Sequence, residues 1–330
     1  MIIYRWDYIF DVTACNLLFL FRVLNFLNLD RTLIYNGQFV LFRYKDQNTE
    51  AQHIIPREIA QRVVESISQK KLFKVYIVIP MFPEGDPSSL SVQEILYWQY
   101  RTMETMYRRI AQAIKTFVSF DDVNQEQTGR HPTDYLSFYC LGKREGHDEC
   151  PSESLEKPKS GTQAESVRAS LRHPIYLHSK MSIFDDDYVL IGSANINQRS
   201  LDGSRDSEIA IGGYQPDISQ PRFYNDRKKG AVHAYRMALW ANHFGKTLAE
   251  FSDPSADECL EKVKELTSNY WSKYISKTPE NCSAHILPYP IQVDDMGNVT
   301  SLAEPWNCFP DTTAPVLGHK SGLLPGKLTT

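Results

Sequence analysis

The sequence predicts an α/β fold, in which helices cover a layered β-sheet, because segments typical of strands and of helices alternate along most of the chain. Residues 73–81 form a largely apolar run with the length of a strand, which indicates burial on both faces. Residues 91–116 form a much longer segment, whose length favours a helix. No internal repeat is visible, so the chain does not carry two copies of one unit.

The first half of the chain begins its regular structure with a helix near residue 55, where apolar residues recur at helical spacing. The strand at 73–81 and the helix at 91–116 follow it. Residues 135–141 predict a further strand. Residues 146–168 are polar, with Pro, Ser, Glu and Lys, and we expect them to form an exposed loop.

The second half of the chain is richer in strands. Residues 174–184 are rich in β-branched and aromatic side chains and predict one continuous strand. Further strands are expected at 188–193 and 207–213, and helices at 230–244 and 257–275. Extended segments punctuated by proline complete the chain.

Composition limits the classes of function that are open. The chain has 330 residues, enough for one large domain or two ordinary ones, and its 42% hydrophobic content supports a substantial core. A formal net charge of −4 leaves no basic field of the kind that a nucleic-acid-binding protein needs, so we expect no nucleic-acid partner. The 6 cysteines are scattered without a C-x-x-C pair, which favours reduced thiols in a cytosolic protein over disulfides or a zinc site.

The N-terminal residues 1–30 contain an apolar stretch at 16–29 that polar residues interrupt. The stretch is shorter than a membrane span, and no small-residue cleavage site of a secretory signal follows it. It could form an incidental hydrophobic helix, an anchor at a membrane interface or, less favoured, a true span. We interpret residues 1–30 as an unrecognised hydrophobic N-terminal segment.

A single motif carries most of the functional information. Residues 178–195 read H-x-K-x4-D-x6-G-S-x-N, and this pattern occurs once in the chain. If residues 174–184 form a strand, His178 and Lys180 share one of its faces. Asp185 then falls on the opposite face or in the turn of a hairpin, where closing the turn is the favoured role. The returning strand would bring Ser193 and Asn195 beside His178 and Lys180.

These residue types suit a phosphodiester. Lys180, Ser193 and Asn195 can supply the positive charge and the hydrogen bonds that phosphoryl oxygens need. The imidazole of His178 can hold and give a proton near neutral pH, or it can attack phosphorus and form a covalent intermediate. One histidine cannot readily do both in the same step, so a double displacement needs two.

The segment IYLHSKMSIFDDDYVLIGSANINQRSLDGSRDSEIAIGGYQP closely resembles the second catalytic motif of plant phospholipases D. Flanking segments such as KVYIVIPMFPEG and GAVHAYRMALWANHFG resemble the same family, and the similarity extends from about residue 34 to residue 330. It implies one lobe of an α-β-α layered sandwich with a mixed β-sheet, followed by a C-terminal extension. It divides the chain into residues 1–30, a catalytic lobe at 31–252 with its motif at 173–200, and a C-terminal region at 253–330.

The resemblance also implies roles for individual residues. His178 corresponds to the general acid/base, Lys180 binds phosphate, and Ser193 and Asn195 complete the phosphate site. Glu208 matches an acidic residue that orients the motif histidine, and Asp185 is the aspartate of the motif. Lys70, Lys71 and Lys74 resemble a basic stretch that binds phosphoinositide head groups in some plant members, although three lysines favour a solvated face.

The departures from the family pattern are also informative. None of the other 8 histidines has a lysine two residues later, so the printed sequence holds one H-x-K rather than two. The family's first motif and its calcium-dependent lipid-docking domain have no counterpart in these residues. A Glu and an Asn of the family's IYIENQYF are replaced by Asn36 and Gly37. We therefore expect a truncated, incomplete site.

The leading interpretation is a phospholipase D that hydrolyses phosphatidylcholine to phosphatidic acid and choline through a phosphohistidine in the complete enzyme. Two alternatives remain: a non-catalytic lobe that binds lipid head groups or a partner, and a homodimer that brings two motifs together. We expect a phospholipid at a membrane surface as substrate, and a first-motif lobe or self-association as partner. The expected location is cytoplasmic and peripheral to membranes. No metal or cofactor is expected in this chain, because calcium in the family acts largely through the docking domain.

Overall fold

The structure, a computed structural model, describes residues 8–11, 31–36, 54–71, 73–118, 131–146, 158–201, 204–214 and 230–324. Its helices are α1 (Ile55–Ser68), α2 (Leu90–Phe117), α3 (Gln163–Ser170), α4 (Gln198–Leu201), α5 (Ala231–Phe244) and α6 (Asp257–Ile275). Its strands are β1 (Tyr8–Asp11), β2 (Arg31–Asn36), β3 (Lys74–Val78), β4 (Leu136–Arg144), β5 (Arg172–Ile175), β6 (Lys180–Phe184), β7 (Tyr188–Gly192), β8 (Ile209–Tyr214), β9 (Ile286–Pro288), β10 (Ile291–Val293) and β11 (Val299–Ser301).

Nine strands form one mixed sheet in the order β1-β8-β7-β6-β2-β3-β4-β5, with β9 also paired to β4. Strands β2, β3 and β4 are parallel to one another, whereas β6, β7, β8 and β1 are joined by antiparallel pairings. Strands β10 and β11 form a separate antiparallel pair. Antiparallel neighbours on both sides of a parallel centre make this a mixed sheet, as the family resemblance implies.

Helices cover both faces of the sheet. One core contains Ile77 and Phe184 together with apolar residues of α1 and α2. The other contains Val78 and Ile183 together with apolar residues of α5 and α6. Successive strand residues enter opposite cores because side chains alternate between the two faces of a strand. The expected α-β-α layered sandwich is therefore confirmed.

Most predicted elements lie where the sequence places them. The helix predicted at 91–116 is Leu90–Phe117, and the helix predicted at 257–275 is Asp257–Ile275. The exposed loop expected at 146–168 is partly wrong, because it contains the start of α3, Gln163–Ser170. The hydroxyl of Thr162 accepts a hydrogen bond from the Glu165 N–H at 3.4 Å, the pattern of a capped helix start.

The single strand expected at 174–184 is also wrong, because two strands, β5 and β6, take its place. Strand β5 pairs with the second half of β4, whereas β6 pairs with β2. The neighbouring strand therefore changes between β5 and β6, and the chain leaves regular structure at 176–179, between the two pairings.

The crossing segment 176–179 lies at the carboxyl ends of β2 and β3. Tyr139 pairs with Val78 on one side and Pro288 on the other, and Leu141 pairs with Ile175 and Ile286. Strand β5 therefore continues the line of β3 beyond its carboxyl end. Lys180 in turn pairs with Asn36, the last residue of β2. Carboxyl ends of parallel strands are common ligand-binding positions in α/β sheets.

The terminal regions contribute to the same sheet. Residues 8–11, which belong to the N-terminal segment, pair as β1 with β8. The apolar stretch at 16–29 lies outside the described residues. From the C-terminal region, α6 packs in the second core and β9 pairs with β4. None of the described helices has the length and apolar character needed to cross a membrane.

The structure shows the surroundings of the three lysines that the sequence singled out and of four of the cysteines. Lys74 is 2% exposed and forms an ion pair with Asp257, so it is a structural cation and not part of a solvated basic face. Lys70 and Lys71 are exposed. The cysteines of the described part, Cys140, Cys259, Cys282 and Cys308, are free thiols.

Candidate active site

The motif opens into a cleft of about 490 Å³ at the carboxyl ends of the parallel strands. One side of it is formed by residues 177–181, and another by residues 191–193 at the end of β7. Three residues of α5 complete the lining: Tyr235, Leu239 and His243. The cleft therefore brings together three predicted site residues, namely His178, Lys180 and Ser193.

His178 lies on the crossing segment and not on a strand. The expectation that it shares a strand face with Lys180 is therefore wrong, although both residues line the same cleft. Its neighbour Leu177 is 7% exposed and anchors the segment in the second core. The ring of Tyr176 lies 6.1 Å from the imidazole of His178, centre to centre. His178 itself is exposed, so a ligand can reach its side chain.

Lys180 begins β6 and points its charge back toward the crossing segment. Its Nζ donates a hydrogen bond to the carbonyl oxygen of His178 at 2.6 Å. Partial burial lowers the pKa of the Lys180 ammonium, and the negative charge of Glu208 counteracts this. The result is a cation held against the backbone of the segment that carries the exposed His178.

Ser193 sits just beyond β7, where the hairpin returns it to Lys180 because Lys180 pairs with Gly192. The Ser193 hydroxyl donates to Oε2 of Glu208 and accepts a hydrogen bond of 3.0 Å from the N–H of Ile209. Its proton is therefore directed at Glu208, and Ser193 can donate to a phosphoryl oxygen only if that hydroxyl turns.

Glu208 acts on different groups from those the family resemblance implies. Within the described residues its hydrogen bond goes to Ser193 and its charge acts on Lys180, and none joins it to His178. Glu208 therefore acts on Ser193 and Lys180, the two side chains that are expected to bind phosphate. Its role as an orienting partner of His178 stays a prediction.

Asn195 is half-buried and is not among the residues that line the cleft. Its Oδ1 is buried with no hydrogen-bond partner among the described residues. A buried carbonyl oxygen without a hydrogen bond destabilises the fold. Rotating the Asn195 amide through half a turn would put its NH2 group in the position of this oxygen. The expected contact of Asn195 with phosphate stays a prediction.

Asp185 lies in the turn at the far end of the β6–β7 hairpin. Asp185 and Asp186 have φ values of +52° and +61°, the left-handed conformation that tight hairpin turns use and that Asp tolerates. Both carboxylate oxygens of Asp186 accept hydrogen bonds from Arg236, at 2.6 and 2.8 Å. The position of Asp185 in this turn favours a structural role for the motif aspartate. The carboxylate of Asp186 is occupied by Arg236. The expectation that calcium does not bind tightly here remains a prediction.

Sequence reasoning missed the contribution of α5. Tyr235, Leu239 and His243 recur every fourth residue, which places them on one helical face. That spacing was visible in the sequence, but nothing local indicated that this face would meet the motif. The core positions Val232, Trp240 and Phe244 define the face of α5 that packs on the sheet. A second row of large side chains beside that face is the one sequence signal that could have pointed to these residues.

Gly192 is expected to be essential for the geometry of the site. A Cβ at this position would lie 2.7 Å from the carbonyl oxygen of Ile209 and 2.9 Å from the Cβ of Ala210, so β8 would have to move. We expect Gly192→Ala to lower the free energy of unfolding by about 1–3 kcal/mol, measured by urea denaturation. Gly322→Ala is the control, because no atom lies within 4 Å of the added carbon. Equal stability of the two variants would contradict the close packing of β8 on Gly192.

A histidine pair beside the cleft predicts a dependence of stability on pH. His243 Nδ1 and His285 Nε2 are 2.9 Å apart, and burial, together with His285, lowers the pKa of His243 from 6.5 to about 4. Below pH 6.5 this histidine takes up a proton in the unfolded chain but stays neutral in the folded chain. The free energy of unfolding therefore keeps its full contribution from this group above pH 6.5 and decreases as the pH falls toward 4.

We expect a loss of no more than about 3 kcal/mol between pH 7 and pH 4 from this group, measured as the free energy of unfolding in urea. His243→Gln should flatten this part of the pH profile, whereas the exposed histidine His173, changed to Gln, should leave it unchanged. A His243→Gln protein with the same pH slope as the parent would contradict the assignment.

Known proteins are similar to this chain over a region that includes the cleft. The sequence model of the phospholipase D family matches residues 34–318. Phospholipase D alpha 2 of Brassica oleracea var. capitata is 45% identical over 285 residues, 86% of this chain and 34% of that protein. Phospholipase D alpha 1 of Arabidopsis thaliana is 45% identical over the same length and shares. The chain thus spans about a third of the length of the curated relatives it matches.

Among solved structures, NucT from Helicobacter pylori aligns with 73% of this chain and 96% of its own at 12% identity. Its TM-score of 0.31 is too low to inform either the fold or the chemistry. The family match extends across the crossing segment, the hairpin and all of the residues that line the cleft. The chain belongs to the phospholipase D family.

Proposed function

We propose that this chain supplies the general acid/base half of a phospholipase D site that hydrolyses phosphatidylcholine to phosphatidic acid and choline. The observation that carries the proposal is the single cleft shared by His178, Lys180 and Ser193 in a chain of this family. The relatives are named phospholipases D, and the chain matches about a third of each. The complete activity therefore includes residues that the matched third does not cover.

The chemistry assigned to this half is proton transfer and charge neutralisation. A histidine from a second H-x-K segment attacks phosphorus, a P–N bond forms, and the P–O bond to choline breaks. His178 gives its proton to the leaving choline oxygen. His178 then takes a proton from water, the water oxygen bonds to phosphorus, and the P–N bond breaks to release phosphatidic acid. Lys180 neutralises the phosphoryl oxygens in both steps.

The positions of the groups support this division of roles. His178 is exposed on a segment that is anchored by Leu177, so its ring can reach a substrate while its backbone stays fixed. The backbone carbonyl oxygen of His178 accepts a hydrogen bond from Lys180 Nζ at 2.6 Å, which ties the cation to the backbone of the segment that carries the imidazole. Both groups therefore belong to one short stretch of chain, which favours their action on the same phosphodiester.

The proposed setting is a phospholipid surface reached from the cytoplasm, with the protein peripheral to the membrane. The proposed partner is a segment that carries the second H-x-K. Calcium acts, in this proposal, through regions outside this chain. Among the described residues no group of three or more His, Cys, Asp and Glu side chains is arranged to hold a metal ion.

The proposal is tested by complementation. The purified chain is mixed with the part of phospholipase D alpha 2 of Brassica oleracea var. capitata that precedes the matched region, and choline release from phosphatidylcholine vesicles is measured. We expect release from the mixture and none from either component alone, because one imidazole cannot serve both steps. Release by this chain alone that His178→Ala removes would contradict the need for a second histidine. Absence of release from a mixture that forms a complex would favour a non-catalytic lobe.

A further inference from the structure

The cleft is much larger than a phosphate group needs, and α5 forms the wall that the motif does not. Tyr235, Leu239 and His243 follow one another along a single helical face. Their exposure falls along the helix: Tyr235 is 41% exposed, Leu239 is half-buried and His243 is 7% exposed. The wall therefore runs from an open aromatic mouth to a closed end.

The surfaces next to this wall are mainly hydrocarbon. Leu177 and Met181, each 7% exposed, form apolar parts of the motif side of the cleft. Ile191, one residue before Gly192, is 40% exposed and lines the cleft as well. The exposed side chains of Ile191 and Tyr235 are hydrated unfavourably beside Lys180. An apolar group of a ligand would displace this water with a gain in free energy.

The charge of the cleft fits one phosphodiester and no more. Among the described residues that line it, Lys180 is the one Lys or Arg, and no Asp or Glu is present. His243 is kept neutral because burial, and after it the electrostatic effect of the neighbouring His285, lowers its pKa to about 4. A single cation matches the single negative charge of a phosphodiester. A polynucleotide would need further cations for the neighbouring phosphates.

We propose that Tyr235 and Leu239 on α5, together with Ile191, form the subsite that binds the hydrocarbon portion next to the phosphate of a lipid phosphodiester. This rests on the proposed function, because the phosphate is placed at Lys180. The subsite discriminates by burial of methylene groups, and each one buried is expected to tighten binding about fourfold. It makes α5 the helix that determines which ester groups the site accepts.

The test compares two soluble ligands that carry the same phosphocholine diester. Dihexanoylphosphatidylcholine, kept below its micelle-forming concentration, has acyl chains, and glycerophosphocholine has none. Dissociation constants for the full chain are measured by isothermal titration calorimetry. We expect the acylated ligand to bind about tenfold or more tightly than the other, as burial of two methylene groups predicts.

Neutral substitutions separate the wall from the phosphate site. Leu239→Asn and Tyr235→Ser should each weaken binding of the acylated ligand by about fivefold to tenfold and leave glycerophosphocholine within about twofold. Ala238→Asn, on an exposed position of the same helix, is the matched control and should change neither. Tyr235 is exposed at the mouth, so its variant stays informative if Leu239→Asn fails to fold.

The outcomes distinguish the two proposals. Equal weakening of both ligands by the α5 variants, no weakening of either, or no measurable binding of the acylated ligand overturns the hydrocarbon subsite. Lys180→Ala should weaken both ligands, because it removes the charge that binds the shared phosphate. If the ligands bind and Lys180→Ala weakens neither, the phosphate site itself is wrong, whatever the α5 variants do.

Discussion

Replacing His178 with alanine is expected to lower choline release by the complemented enzyme by about 10²–10⁴-fold, the range that a positioned general acid/base contributes. The expected loss is large because His178 supplies an exposed imidazole to the cleft that it shares with Lys180. Without it, the choline oxygen leaves as an alkoxide, and the attacking water loses its base.

Two further variants make this result specific. Lys180→Ala should also reduce release by about 10²–10³-fold, because a phosphoryl charge in a partly desolvated site would lose its counter-charge. His173→Ala replaces an exposed histidine of β5 that does not line the cleft, and the rate should stay within about twofold. A His178→Ala mixture that retains most of the parental rate would remove His178 from the mechanism.

Breaking the buried ion pair between Asp186 and Arg236 is expected to destabilise the fold by about 3–5 kcal/mol, since one charge would remain buried without its partner. Arg236 is 1% exposed, and its guanidinium holds both oxygens of Asp186 while it donates to the carbonyl oxygen of Phe251 at 2.8 Å. It also lies over the ring of Trp240 at 4.9 Å. This pair fastens α5, and with it the wall of the cleft, to the hairpin turn.

The measurement is the free energy of unfolding of Asp186→Ala in urea. Asp206→Ala breaks the exposed pair with Arg199, whose side chain is 64% exposed, and should cost no more than about 1 kcal/mol. The double variant Asp186→Leu with Arg236→Met removes both charges and should recover part of the loss, because no unpaired charge is left in the core. Similar costs for the buried and the exposed pair would contradict the importance of this contact.

The parts of the fold that local sequence signals determine were predictable. The helix at Asp257–Ile275 and the hairpin that pairs Lys180 with Gly192 depend on periodicity and on turn residues close in sequence. The family resemblance added the layered sandwich and named His178, Lys180 and Ser193, which the cleft brings together. These features are encoded within short windows of the chain.

The features that failed depend on tertiary partners. Residues 174–184 have the composition of one strand, yet β5 pairs with β4 and β6 with β2, so the chain crosses the sheet end at His178. No local property of the segment distinguishes these outcomes, because composition reports strand propensity and not the choice of neighbour. The same limit hid the contact between α5 and the motif, and the bond from Ser193 to Glu208.

The most direct test of the central claim is to locate the phosphohistidine. The complemented mixture is quenched during turnover of phosphatidylcholine labelled at its phosphorus, and the labelled peptide is identified by mass spectrometry under conditions that preserve the P–N bond. If His178 is the general acid/base, the phosphoryl group lies on the histidine of the added segment, and the peptide that contains His178 is unlabelled. A phosphoryl group on His178 would contradict the proposed division of roles.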